Sequence, residues 1–298
     1  MVPIITISRK VIAPVEKELE MGPAKQETGR TYGVELLFQS PPNLELDELT
    51  EALAGCCPQA RVQATTSTVM VYHDDAIIPY GDGIAPAQTA IIPTDMPLDP
   101  RLLATALEHT WDWPEAGEIV ANCNHRMLVT DMMSSDLDHQ TRLEKYENTL
   151  LAVVETTKPD AIFWRPAGKI VSPDKFIRSM EADNPNAGVM TALNVRMFNI
   201  MNGEKDEIVM DTLGLGALML PDLQVHFSDL NPDIIARHLY NSALFLFENG
   251  DIIQDGNTIK GIAPDEEWAC TREEALIAPG RLVVDLDPGP PYAAGSRE

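Results

Sequence analysis

Residues 32–57 read YGVELLFQSPPNLELDELTEALAGCC. The apolar run from Tyr32 to Gln39 has the length of a strand and is closed by Ser40-Pro41-Pro42. Beyond the prolines the apolar residues recur at i, i+3 and i+7, as Leu46, Leu49 and Leu53. This change of period predicts a strand followed by a helix capped by Asn43. Glu45, Asp47, Glu48 and Glu51 then fall on the solvent side near the N-terminus, where the helix dipole favours acids. Working outward, Thr65 to Tyr72 is β-branched and predicts a second strand. Gln88 to Pro93 predicts a third, joined to the second by a loop rich in Gly, Pro and Asp. Asp99-Pro100 opens a helix with Leu102, Leu103, Ala106 and Leu107 as its buried stripe, and Arg126 to Asp131 returns as a strand. The succession β-α-β-β-α-β is that of a ferredoxin-like unit.

A second mixed unit follows. Asp138 to Thr157 reads as a long amphipathic helix, Ala161 to Trp164 as a buried strand, and Ser172-Pro173-Asp174 as the start of a short helix. Ala192 to Met201 and Glu207 to Thr212 form a hairpin pattern around Asn202-Gly203, and Leu223 to Phe227 adds a strand. Asn231-Pro232 starts the clearest helix, with Ile235, Leu239, Ala243 and Leu246 on one face and Asn249-Gly250 as its stop. A turn at Asp255-Gly256 and a strand from Arg281 to Leu286 complete it. The expected class is α+β, two mixed α/β sandwich-like units with the first in ferredoxin-like βαββαβ order. The expected divisions are a lead-in at 1–30, units at 31–135 and 136–287, and a flexible tail at 288–298.

Composition supports folded units: 298 residues, 44% hydrophobic and 23% charged, lie near globular averages. No apolar run approaches the roughly 20 residues that span a bilayer. The opening MVPIITISRKVIAPVEKELEM has charged residues where a signal cleavage site would belong, so a cytoplasmic protein is expected. Cys56, Cys57, Cys123 and Cys270 form no C-x-x-C, which disfavours a structural zinc site, and the adjacent Cys56 and Cys57 at the end of an apolar helical pattern read as buried thiols.

The formal charge is −24, from 22 basic and 46 acidic side chains. Spread evenly over roughly 12,000 Å² of surface, such charges would sit about 22 Å apart, beyond a Debye length of about 8 Å. Only clustering would give a steering field, and the acids do cluster: residues 43–125 carry thirteen of them against Arg61 and Arg101. Direct nucleic-acid binding is disfavoured, because phosphates need clustered Lys and Arg. A basic protein partner fits.

Motifs for catalysis are sparse. His73-Asp74-Asp75, with Asp95, has metal-ligand chemistry at a strand end but no further ligands in sequence. Asp131, Asp136, Asp138 and His139 surround a Ser-Ser loop and a helix cap, where capping explains them. Gly214-Leu-Gly216 is followed by Met219 where a dinucleotide fingerprint needs its third glycine. No G-x-S-x-G or G-x-x-x-x-G-K-[ST] occurs. His238 falls within an amphipathic helix, and Trp111 and Trp113 beside Pro114 either seal a core or anchor a partner.

The segments WDWPEA (111–116), AIFWRPAGKIVSPDKF (161–176), TLGLGALMLPDLQV (212–225) and LYNSALFLFENGDIIQDGNTIKG (239–261) together resemble the bacterial family known as domain of unknown function 4261. The resemblance spans roughly Gly33 to Leu286 and departs at Arg165-Pro166 and Met219. It implies a cytoplasmic bacterial protein, with some relatives encoded near toxin or type VI secretion genes. It supplies no catalytic residues.

These readings lead to a binding protein, expected to be an immunity protein that neutralises a basic, for instance nuclease-type, toxin through an acidic face. The candidate contacts are Asp74, Asp75, Asp82, Trp111 and Trp113. No catalytic residue, metal ligand or cofactor is assigned. A metal-dependent enzyme using His73, Asp74 and Asp75, and a toxin adaptor or chaperone, are the alternatives.

Overall fold

The computed structural model describes residues 32–94, 98, 100–181, 186–201 and 206–295. The expected lead-in at 1–30, Asp95, Asp99 and the Asn202-Gly203 turn lie outside them. The strands are β1 (Gly33–Phe38), β2 (Ala60–Ala64), β3 (Val69–Tyr80), β4 (Gly83–Thr94), β5 (His125–Met132), β6 (Ala161–Trp164), β7 (Lys169–Val171), β8 (Asn194–Met201), β9 (Asp206–Leu213), β10 (Asp222–Ser228), β11 (Thr258–Lys260), β12 (Glu267–Glu274) and β13 (Leu282–Asp287). The helices are α1 (Leu46–Cys56), α2 (Pro100–Glu108), α3 (Ala116–Ala121), α4 (His139–Thr157), α5 (Pro173–Glu181), α6 (Ala187–Ala192) and α7 (Pro232–Asn249). The fold is α+β with two sheets.

The described residues divide into two compact units between Ala192 and Leu193. This moves the division expected at 135/136. The reason is strand pairing: β6 hydrogen-bonds antiparallel to β1, with Val34 opposite Trp164, so the chain after Ser134 returns to the first sheet.

The first unit carries a seven-stranded sheet in the order β2-β3-β4-β5-β1-β6-β7, with antiparallel neighbours throughout. The succession β-α-β-β-α-β holds for β1, α1, β3, β4, α2 and β5, with β2 and α3 added. In space β5 lies between β4 and β1 and runs antiparallel to both, so α2 and α3 join neighbouring antiparallel strands and make no parallel crossover. Alternation along the strands gives the sheet two buried faces. Leu37, Ala161, Phe163 and Ile170 pack under α2 and α3 with Ala106, Ala116 and Val120. On β6 the next side chain, Trp164, belongs to a different cluster, within 5.7 Å of Phe176 on α5 and 6.4 Å of Tyr32.

Local sequence explains the helix starts. Asp138 caps α4 by accepting from Thr141 N at 2.9 Å, as its position implied. For α1 the cap is Glu45, not Asn43; Asn43 instead donates from Nδ2 to the Glu45 carboxylate at 2.8 Å. The loop expected between residues 72 and 88 is a continuation of both strands. β3 and β4 run on to a two-residue turn, Gly81-Asp82, where Gly81 takes a φ of 57° that suits a type II′ hairpin.

The second unit carries a six-stranded sheet in the order β11-β12-β13-β10-β9-β8, in which β10 and β13 are parallel and the other neighbours antiparallel. Helix α7 begins as Asn231-Pro232 predicted, with the Asn231 side chain accepting from Asp233 N at 2.9 Å, and it packs on β8, β9 and β10. The described part of the expected tail is anchored, which corrects that expectation. Ser228 N donates to Tyr292 O at 2.9 Å, Ala294 N donates to His226 O at 3.2 Å, and Phe227 bridges Ala293. The pairing partner is β10, a strand whose backbone groups would otherwise be buried without hydrogen bonds.

Candidate functional site

The β3–β4 hairpin extends beyond its neighbours. β2 pairs with β3 only as far as His73, and β5 joins β4 only from Gln88 on, so residues 74–87 form an arm without flanking strands among the described elements. At about 3.3 Å per residue it reaches roughly 20 Å. Register places Ile77 opposite Pro86 and Pro79 opposite Ile84, giving one apolar face. Ile77 is 45% exposed, Ile84 76% and Tyr80 64%. Asp82 occupies the tip, fully in solvent reach. Pro79 and Pro86 are tolerated in these strands because the outer edges need no ladder donor.

Asp74 and Asp75 stand at the base of the arm, and both are ion-paired within the chain. Asp74 accepts from Arg61 Nε and Nη2, each at 3.3 Å, and the Arg61 guanidinium lies 4.3 Å from the centre of the Tyr72 ring. Asp75 accepts from Lys145 Nζ of α4 at 2.6 Å, and that hydrogen bond holds its carboxyl below the usual carboxylate range. His73 is buried, with Nε2 3.0 Å from Thr89 Oγ1 and no partner for Nδ1. Burial, reinforced by Lys145, pushes it down to about 4, so it is neutral at physiological pH.

Cys56 and Cys57 lie at the end of α1. The Cys56 thiol donates to Asn148 O at 3.4 Å. A hydrogen bond from the Cys57 side chain lowers it to about 7, while Cys57, sharing that bond and buried, is pushed up. Cys57 is the buried thiol expected; Cys56 is half-buried. Among the described residues no three His, Cys, Asp or Glu side chains converge to hold a metal ion.

Trp111 and Trp113 lie elsewhere on the first unit. Trp111 donates from Nε1 to Glu108 O at 2.8 Å, and Trp113 packs against the cluster containing Phe163 and Ile170. That cluster reaches β7, five strand spacings from β3, or about 24 Å. The structure therefore gathers Asp74, Asp75 and Asp82 on one hairpin and leaves the two tryptophans far from it.

Two arrangements escaped the sequence reading. At α2 and α3 a cavity of about 410 Å³ is lined by Leu37, Leu103, Leu107, Val120, Cys123 and Arg126 among others. Arg126 Nη1 donates to Glu35 Oε1 at 2.7 Å, and Arg165 reaches the same oxygen at 3.3 Å. The Glu35 side chain is wholly buried and its Oε2 has no partner. The signal was a charged residue inside the otherwise apolar run GVELLF.

In the second unit a polar row crosses the sheet: Arg196 of β8, Asp211 of β9, Gln224 of β10 and Asp285 of β13 stand in register. Asp211 accepts from Arg196 Nε at 2.9 Å and Nη2 at 2.5 Å, and from Arg281 Nη2 at 2.8 Å. Arg281 Nε also donates to Asp222 at 3.1 Å. Burial raises the Asp222 carboxyl, with Arg281 pulling the other way. Gln224 donates to Glu273 at 3.0 Å and accepts from Leu276 N at 2.8 Å. These groups satisfy one another, so the row reads as a specifying network inside the fold.

No helix among the described residues is long and apolar enough to cross a membrane. No curated protein and no solved structure matches the chain. The model of one family, described as Domain of unknown function (DUF4261), matches residues 211–287, from Asp211 of the buried network through the end of β13. The resemblance drawn from the sequence is thereby supported over that span.

Proposed function

We propose that this chain is a binding protein of the bacterial cytoplasm, an immunity protein that neutralises a basic toxin, for instance a nuclease, of a type VI or related secretion system. The observation that supports this reading most is the β3–β4 arm, which holds Ile77 and Ile84 in solvent on one face, with Tyr80 exposed on the other near Asp82 at the tip, in a chain of net charge −24. A protruding apolar face supplies the desolvated anchor that sets a dissociation rate, and the surrounding negative field steers a basic partner in. Asp74 and Asp75 add to that field but are engaged by Arg61 and Lys145. Asp82 and the three exposed apolar residues therefore carry the contact in this reading.

The adaptor reading uses the same surface and differs in outcome: an adaptor carries the toxin without suppressing toxicity. The metal-dependent reading through His73, Asp74 and Asp75 draws no support from their internal pairing with Thr89, Arg61 and Lys145.

The test is affinity purification of the tagged protein from its own cells at low and high salt, repeated with an Ile84→Arg/Asp82→Arg variant. Expected is a stoichiometric basic protein released progressively by salt, lost with the variant, and toxic in cells unless the unaltered chain is co-expressed. Recovery of the protein alone from cells that contain the candidate toxin would overturn the proposal, as would a partner whose binding ignores both salt and the variant.

A further inference from the structure

We infer that the adjacent cysteines at the end of α1 form a two-thiol redox site for a small hydroperoxide, Cys56 supplying the attacking sulfur and Cys57 the sulfur that closes a disulfide onto it. The inference does not depend on the reading of the β3–β4 arm.

Three observations carry the inference. First, the backbone brings the two thiols together. Successive side chains on a continuous helix do not face each other, so a Cys-Cys pair in the middle of α1 would not meet. Cys56 is instead the last residue of α1, and Cys57 leaves the helix with φ −133° and ψ 67°. Their side chains share a hydrogen bond. Second, the two sulfurs differ in exposure in the order the chemistry requires. Cys56 is partly exposed, its thiol held against Asn148 O of α4 at 3.4 Å and Ala52 O at 3.7 Å. Cys57 is buried, at 4% exposure. A small oxidant has only to reach the first sulfur, because the second meets its partner within the protein.

Third, the surroundings put the negative charge on the exposed sulfur. The bond from Cys57, helped by the backbone N–H groups of both residues, holds the Cys56 thiol near 7 against burial and the charge of Glu155. A large share of it is therefore thiolate, the reactive form, at neutral pH. Cys57 is pushed up by sharing that bond and by burial, with Lys145 opposing and Asp75 adding to the rise. Cys123 and Cys270 have no cysteine beside them and are pushed up to about 11 by burial. An accessible thiolate next to a resolving thiol is the arrangement of cysteines that oxidise reversibly.

In the first step the Cys56 thiolate attacks the terminal oxygen of the hydroperoxide. An S–O bond forms as the O–O bond breaks, the sulfur loses two electrons, and the departing alkoxide or hydroxide takes up a proton to leave as alcohol or water. Oxidation removes the Cys56 charge that held the Cys57 proton in place. The Cys57 sulfur then attacks the sulfenic sulfur, an S–S bond forms as the S–O bond breaks, and the thiol proton leaves with the hydroxyl group as water. Consecutive Cα atoms are about 3.8 Å apart, below the roughly 4.4–6.8 Å usual across a disulfide, so the bridge is strained and readily reduced by a dithiol.

The experiment treats the reduced full chain with substoichiometric hydrogen peroxide, blocks remaining thiols with N-ethylmaleimide at timed intervals, and maps the peptides by mass spectrometry. Expected is the loss of two hydrogens within the single peptide that carries Cys56 and Cys57, reversed by dithiothreitol, with Cys56 consumed at least about tenfold faster than Cys123 or Cys270. Cys57→Ser keeps a hydrogen-bond donor beside Cys56 but cannot close the bridge, so a sulfenic acid should accumulate on Cys56 and be trapped by dimedone. Cys56→Ser should leave Cys57 unoxidised over the same interval. Oxidation of Cys56 no faster than that of Cys123 and Cys270 would overturn the site, as would a bridge from Cys56 to another cysteine or to a second chain. Sulfinic acid on Cys56 with Cys57 still a thiol would overturn the resolving role. The map of the unaltered chain gives these readouts even if a serine variant fails to fold.

Discussion

Gly188 on α6 lies against the carboxyl group of Glu147 on α4, at a point where the Cβ of any other residue would collide with it. Glu147 is buried, its Oε1 has no hydrogen-bond partner, and burial pushes its carboxyl up from the usual 4.5 to about 8. Glycine at 188 thus makes room for a neutral acid inside the first unit.

The native state therefore holds a proton on Glu147 that the unfolded chain releases above its ordinary carboxyl value. With the folded value raised, stability from this group is complete below about pH 4.5 and falls as pH rises toward 8. Glu147→Gln, which stays neutral, is expected to gain on the order of 3 kcal/mol over the parent between pH 4 and pH 7. Urea denaturation of both proteins across that range measures the difference; a constant gap would contradict the assignment.

Gly188→Ala is expected to destabilise by about 1–3 kcal/mol, the usual cost of overpacking. Most of the loss should vanish in a Glu147→Ala background, because the colliding carboxyl is gone. A double-mutant cycle by chemical denaturation reads the coupling directly.

Cys56, held near 7 by its bond from Cys57, should be the fastest of the four thiols to react with iodoacetamide, with its rate climbing through a midpoint near pH 7. Cys123 and Cys270, each pushed up to about 11 by burial, should lag. Cys57→Ala should move the Cys56 midpoint back toward its ordinary 9. Peptide mass spectrometry after timed alkylation separates the sites.

Removing Asp211 would leave Arg196 and Arg281 facing one another without their shared carboxylate. Asp211→Ala is expected to cost about 3–5 kcal/mol, as for other broken buried pairs. The loss from Asp211→Ala combined with Arg281→Met should be smaller than the sum of the two, since they break the same contact. Thermal unfolding monitored on the full chain tests both.

Ile77→Ser and Ile84→Ser should leave stability within about 0.5 kcal/mol, because each side chain already faces water. A large fall in melting temperature for either would mean that the exposed face of the arm packs in solution, as Ala76 and Ile78 on its other face do in the structure.

The elements most legible in the sequence were those whose signals are local. Asp138 and Asn231 announced α4 and α7 because a capping side chain needs only the next three residues. β12 was missed although Trp268 and Cys270 alternate with exposed Glu267 and Ala269, a period-2 pattern made faint by its charged flank. The Gly, Pro and Asp residues between 72 and 88 predict a loop, and only the sheet order shows that Pro79 and Pro86 lie in strands whose outer margins need no ladder donor. The unit boundary depended on β6 returning to β1, a pairing across more than a hundred residues that no window reports. The cavity was equally hidden: Leu37, Leu107 and Arg126 come from three elements, and nothing in their spacing brings them together.

The two prolines of the arm have an effect beyond their own backbone. A hairpin about 20 Å long without flanking strands would ordinarily invite a foreign strand to zip onto its open side, the route by which sheets grow into aggregates. Pro79 on one strand and Pro86 on the other each delete an amide from that open side, so neither margin offers an unbroken row of donors. A partner of the kind proposed would have to hold the arm by its side chains, and so discriminate by shape and charge what a sheet extension would accept from almost any extended peptide.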